Sequence, residues 1–100
     1  MLKSAGARQI LVRMLRNLKG IYAGASDWAR SLSALDRILM LDPRAVEELA
    51  ERGQVYERLE CFKAALDDFQ SFLSLAPEHP AAEVAREAVL RLVRQVSLIN

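Results

Sequence analysis

The sequence predicts an all-α fold: two helix–turn–helix units and a C-terminal capping helix, stacked as a short α-solenoid. Three observations predict it. First, the chain repeats every 34 residues, so that Leu15–Pro43 lies over Leu49–Pro77 without a gap. Tyr22 falls on Tyr56, Trp28 on Phe62, Ser31 on Ala65, Leu35 on Phe69, Leu39 on Leu73 and Pro43 on Pro77. Second, apolar residues recur at helical spacing within each half of the repeat. Third, the stops fall where such a unit needs them, with Asp27 placed to cap a helix and Pro43 and Pro77 placed to end one. A helix pair of this size cannot bury its apolar face alone and stacks on a neighbour to do so.

The elements follow in order. Leu11, Met14, Leu15, Leu18 and Tyr22 predict the first helix and its core stripe, with a first unit over residues 8–43. Gly24, Ala25 and Ser26 interrupt it, and Asp27 starts a second helix that buries Leu32, Leu35, Ile38 and Leu39. The second unit, residues 44–77, has Leu49, Gly53, Val55 and Tyr56 on its first helix and Phe62, Leu66, Phe69, Phe72 and Leu73 on its second. Pro77 and Pro80 bracket a short turn. A last helix over residues 81–97 carries Val84, Ala88, Leu92 and Val96 and caps the array. The 100 residues are expected to form one domain.

The 34-residue unit resembles the tetratricopeptide repeat. That pattern asks for a large apolar residue, a small one and an aromatic on the first helix, then a small residue, an aromatic and a closing proline on the second. Leu49, Gly53, Tyr56, Ala65, Phe69 and Pro77 supply it in the second unit; the first supplies Leu15, Tyr22, Ser31, Leu35 and Pro43 but has Lys19 at the small position. The resemblance implies a concave groove lined by the first helices. Arg13, Arg16 and Asn17, with Gly20 and Ala23, line it from the first unit; Gln54 and Glu57, with Glu47 and Ala50, from the second; and Arg91, with Val84 and Ala88, from the cap. The carboxylate clamp known from such repeats is incomplete here, because Gly20 stands where an asparagine is expected, so binding of chaperone tails is not predicted. A narrower resemblance covers about residues 9–95. The run Arg13–Tyr22, then Asp27-Trp28, Leu35–Leu39, Arg52-Gly53 and Leu73–Pro77, is similar to the C-terminal segment of a bacterial family that joins a transglutaminase-like N-terminal domain to a repeat tail of this length. It implies that the chain is a tail and that any cysteine-based site lies in the preceding domain.

Composition narrows the function. No run of 18 apolar residues occurs, so no membrane helix is expected, and the start lacks the apolar stretch of a signal peptide. One cysteine excludes an internal disulfide and suits the cytoplasm. Net charge is +1, but residues 1–24 hold Lys3, Arg8, Arg13, Arg16 and Lys19 and no acid, whereas residues 44–100 are net acidic. The plain reading is a solvated helix face; the functional one is an acidic protein partner. Nucleic acid and lipid are the weaker readings, and the balanced total argues against nucleic acid.

No catalytic set emerges. Cys61 and His79, the one thiol and the one imidazole, fall at opposite ends of a helix, and they are too few for a zinc site. Cys61 reads as a poor N-cap at the place of Asp27, and His79 as an exposed loop residue. No glycine-rich phosphate loop is present, and no cofactor or metal is expected. Arg52 stands where an apolar residue is usual and needs a partner, with Glu48 or Asp36 in reach. Ile10 and Val12 exceed what one core face can use and are expected to project as an interface, toward the preceding domain or a second copy of the chain in a symmetric pair.

Overall fold

The structure, a computed structural model, describes residues 4–99; Lys3, one of the five bases of the first stretch, lies outside them. Five helices follow one another: α1 Ser4–Gly24, α2 Trp28–Leu41, α3 Val46–Arg58, α4 Phe62–Leu75 and α5 Ala82–Ile99. There is no strand among the described residues. The chain divides into two compact units, Met1–Ala45 and Val46–Asn100. In the first, α1 packs on α2; in the second, α4 packs on both α3 and α5.

The same turn joins the helices of each pair, 34 residues apart. Asp27 N–H donates to the Tyr22 carbonyl at 2.8 Å, and Ser26 N–H to Ala23 at 3.0 Å. Cys61 N–H donates to Tyr56 at 2.8 Å, and Glu60 N–H to Glu57 at 3.0 Å. This is the Schellman arrangement, which satisfies the last carbonyls of a helix and places one residue in the left-handed region. That residue is Ser26 (φ 57°) in one turn and Glu60 (φ 61°) in the other, where glycine is the usual choice. The residue after it doubles as the N-cap of the next helix. Asp27 fulfils that role, its carboxylate accepting the Arg30 N–H at 3.2 Å. Cys61 has nearly the same backbone (φ −90°, ψ 71°, against φ −89°, ψ 77°) but makes no side-chain cap bond.

The buried residues of the first unit are Val12 and Leu15 on α1, Ser31, Ala34, Leu35, Ile38 and Leu39 on α2, and Ala45 beyond it. Ser31 is fully buried, and its hydroxyl donates to the Lys19 carbonyl at 3.4 Å, so the polar group is satisfied where α2 meets α1. In the second unit Leu49, Gly53 and Val55 of α3 are buried together with Ala65, Leu66, Phe69 and Phe72 of α4. Gly53 has no room for a side chain: a Cβ there would stand 2.9 Å from the Phe69 ring. Ala82, Ala85, Ala88 and Leu92 form the buried face of α5.

Three expectations are corrected. The phase of α1, which begins at Ser4, is different: Val12 is buried, at 9% exposure, while Leu11, Met14 and Leu18 are exposed. Two apolar sets share this helix, and the core takes the one containing Val12. Val84 of α5 is likewise exposed, because Ala82 and Ala85 occupy the inward positions. His79 is half-buried rather than loose. Its Nδ1 accepts the Ala81 N–H at 3.0 Å, just ahead of α5, and its ring meets Phe72 edge-on with centroids 5.2 Å apart.

Arg52 finds its partner on the opposite helix. Its Nε and Nη2 donate to the two carboxylate oxygens of Asp68 at 2.7 and 2.8 Å, and its guanidinium lies 5.8 Å from the Tyr56 ring centroid. Asp68 was not among the partners expected for Arg52, which were Glu48 and Asp36. The pair is enclosed, with side-chain exposures of 23% for Arg52 and 7% for Asp68. Such a fork-shaped pair fixes the register of α3 on α4, and removing Arg52 takes both of these hydrogen bonds from the buried Asp68 carboxylate.

Three stability changes follow. Cys61→Asp should raise stability by about 1 kcal/mol, because the carboxylate gains the Ala64 N–H that cysteine leaves uncapped. Glu60→Gly should add roughly 0.5–1 kcal/mol by relieving the left-handed backbone. Denaturant melts measure both, and no gain from either would contradict the turn geometry. Arg52→Ala should cost roughly 3 kcal/mol, and the Arg52→Ala, Asp68→Ala double variant should lose clearly less than the sum of the single losses.

Candidate binding surfaces

Three surfaces carry the residues singled out by sequence, and each lies within one unit. The first is a cavity of about 560 Å³ where the N-terminal half of α1 meets the end of α2. Arg8, Arg13 and Arg16 line it, with Gln9 and one carboxylate, Asp42, and Val12 and Leu41 add apolar lining. The structure therefore brings Arg13 and Arg16 together. It adds Arg8 and Gln9, which the sequence reading did not assign to a groove. Their signal was helical spacing: Arg8, Val12 and Arg16 are successive i, i+4 neighbours on α1. Asn17 is exposed but does not line the cavity. The α1 helix has no acid anywhere along Ser4–Gly24, so its bases set a positive field beside apolar surface.

The second surface, on α3, is a shallow cavity of about 500 Å³ lined by Gln54, Glu57 and Arg58. The Arg91 candidate is paired here rather than poised: its Nε and Nη2 donate to both Glu57 oxygens at 2.8 and 2.9 Å. Glu57 and Arg91 stand 34 residues apart, so they hold equivalent places on α3 and α5. The hydrogen bond to Glu57, more than its charge alone, holds the Arg91 guanidinium above its ordinary pKa. The pair is neutral overall and partly solvated, which makes it a weak anchor for a charged ligand.

The third surface is the outward side of α1. Ile10, Leu11, Met14, Leu18 and Ile21 are all exposed, from 39% for Leu18 to 65% for Ile21. Of the two interface candidates, Ile10 is exposed on this face and Val12 faces the core.

Among the described residues the thiol and the imidazole are not brought together. Cys61 precedes the 14-residue α4 and His79 follows it, about 20 Å along the helix axis, too far for a nucleophile–base pair. No group of three His, Cys, Asp or Glu side chains among the described residues is placed to hold a metal ion. No helix among them is long and apolar enough to cross a membrane.

Comparison with known proteins gives the following. Residues 18–89 match the family described as tetratricopeptide repeat. The chain is similar to a UPF0162 protein of Xylella fastidiosa strain Temecula1, 40% identical over 85 residues, which cover 85% of this chain and 30% of that protein. A UPF0162 protein of Vibrio cholerae is 31% identical over 88 residues, covering 88% of this chain and 33% of its own length. Protein SirB1 of Salmonella typhimurium is 27% identical over 88 residues, again 33% of its length. The chain thus spans about a third of the length of the curated relatives it matches.

Proposed function

Because this chain belongs to the tetratricopeptide repeat family, whose arrays bind other proteins on exposed helix faces, we propose that it is a protein–protein or interdomain binding module and not an enzyme. The observation that carries this reading is the cavity bearing Arg8, Arg13 and Arg16 beside Val12 and Leu41. Among the described residues Arg8, Arg13 and Arg16 outweigh Asp42 in this lining, which favours a negatively charged ligand, and the apolar residues reward a side chain inserted between them. The ligand we assign is an acidic peptide or protein surface with an apolar residue among its carboxylates. A nucleic acid is the poorer fit, because the net charge of the whole chain is only +1. The groove candidates Gln54, Glu57 and Arg91 offer polar contacts within the second unit, apart from this cavity, and Asn17 offers one on the exposed surface of α1. A second copy of the chain, docked on the outward side of α1, is the other proposed partner. The single cysteine, Cys61, suits a reducing compartment, and we place the protein in the cytoplasm.

A second reading is favoured by length. The curated relatives are about three times as long as the segment they share with this chain. On this reading the repeat is the structural or regulatory tail of a larger, transglutaminase-like protein, and the acidic surface belongs to that protein's own N-terminal domain. The two readings use the same cavity and differ in whether its occupant is in cis.

Binding of a synthetic peptide rich in glutamate and leucine, followed by fluorescence polarisation, tests the cavity. Arg13→Glu with Arg16→Glu should weaken it about tenfold or more, mainly through slower association, and added salt should weaken the wild type. Unchanged affinity in the variant would remove the cavity from the binding surface. Tighter, salt-sensitive binding of generic duplex DNA would replace the acidic partner with a nucleic acid.

A further inference from the structure

The exposed apolar residues of α1 are ordered. Leu11, Met14, Leu18 and Ile21 recur at spacings of three, four and three, which is the seam of a coiled coil, and Ile10 widens it at one edge. At 100° per residue they occupy an arc of about 100°, running roughly 15 Å along the helix and centred about 110° around it from the midpoint of Val12 and Leu15. The 34-residue repeat supplies a second observation. The places of Leu11, Met14, Leu18 and Ile21 are taken 34 residues later by Ala45, Glu48, Arg52 and Val55. There Ala45, Glu48 and Val55 are buried and Arg52 is half-buried. A face enclosed in one repeat is therefore open in the other, although it is the more apolar of the two.

We propose that this seam is a self-docking surface, occupied by α1 of a second copy of the chain, antiparallel about a two-fold axis near residue 16. The proposal deepens the module reading above by naming the partner of this face. Three features select a second copy. The three–four–three spacing reads the same in both directions, so Leu11 meets Ile21 of the other copy and Met14 meets its Leu18, apolar against apolar throughout. Among the residues of α1 no charge lies in the seam, and Ile10 and Asn17 flank one edge of it; Arg13, Arg16 and Lys19 lie at least 100° around the helix from its centre, and the bases that border the seam, Arg30 and Arg37, come from α2 beside Leu18. A head-to-tail contact has no matching surface on α5. Its exposed Val84, Leu90, Val93 and Leu98 are spread over about half the circumference, and Glu87, Arg91 and Arg94 interrupt them.

Sedimentation equilibrium of the 100-residue chain across a dilution series tests this. The expected result is a monomer–dimer equilibrium that strengthens with added salt, since salt screens the bases of the two α1 helices and not the seam. Met14→Glu with Leu18→Glu should weaken association by roughly a hundredfold or more. Leu11→Glu with Ile21→Glu should do the same, so that the test survives if one pair fails to fold; helicity and melting temperature identify a folded variant. In a Cys61→Ser background, Asn17→Cys should cross-link to itself across the two-fold with a short bismaleimide linker. A strictly monomeric wild type overturns the proposal. So does a dimer that resists both folded variants, or one without the 17–17 cross-link. A seam that binds the glutamate-rich peptide and weakens with salt would instead assign the face to an acidic partner. The cavity reading fails separately, because Arg13 and Arg16 lie outside the seam.

Discussion

The closeness of paired helices is the constraint on which the rest depends. In the second unit it is set by Gly53, whose missing side chain lets the Phe69 ring lie against the α3 backbone. The first unit solves the same problem with different residues. Lys19 takes the place of Gly53, and Leu35 takes the place of Phe69, so a Cβ gained on one helix is matched by a smaller side chain on the other. Ser31, small and fully buried, hydrogen-bonds the Lys19 carbonyl at the crossing. The Schellman turns at Ser26 and Glu60 then fix where each second helix starts. Once spacing and entry are fixed, the face each helix presents to the core is fixed too, and every candidate surface is what remains.

Local rules made most of the architecture legible. The period of 34, the caps and the closing prolines depend on neighbours in sequence, and the helices fall where those signals place them. What failed was the phase of α1. Core residues Val12 and Leu15 and the exposed Leu11, Met14, Leu18 and Ile21 are all large and apolar, so helical spacing alone cannot choose between two sets one residue apart. The deciding signal was in the repeat. Gly53 and Tyr56 fall on Lys19 and Tyr22, so the core face of α1 is the one carrying Lys19, and stepping back in turns from it gives Leu15 and Val12. The partner of Arg52 was not legible for another reason. Asp68 is 16 residues away, and only the packing of α4 on α3 brings it to 2.7 Å. The half-burial of His79 depends in the same way on Phe72 and the turn into α5.

The candidate sites divide along the same line. Arg13 and Arg16 could be named from the basic run, since that run is local. Arg8 joins them because α1 begins at Ser4, and Asp42 because α2 ends beside α1; neither end was fixed by the periodic pattern. Arg91 was named as a groove base, but its charge is met by Glu57, a contact between equivalent places on two helices of one unit. Pairing of that kind removes a residue from the list of free anchors without removing it from the surface.

The two proposed surfaces of α1 are chemically opposite and share one rigid element. The cavity is basic, partly apolar and suited to a carboxylate-bearing ligand, where screening sets the strength. The seam is apolar and uncharged, and water exclusion sets its strength. They lie on different sides of the helix, so occupation of one does not block the other. They are nonetheless joined through α1, whose N-terminal turns carry Arg8 and Gln9 of the cavity directly ahead of Ile10 and Leu11 of the seam. These turns extend beyond the 13-residue length that suffices for α3. On the proposed self-docking, a second copy on the seam would bear on the same helical turns that carry the cavity arginines. The extra length of α1 thus has a physical use in both readings of the module, because it supplies residues to both surfaces at once.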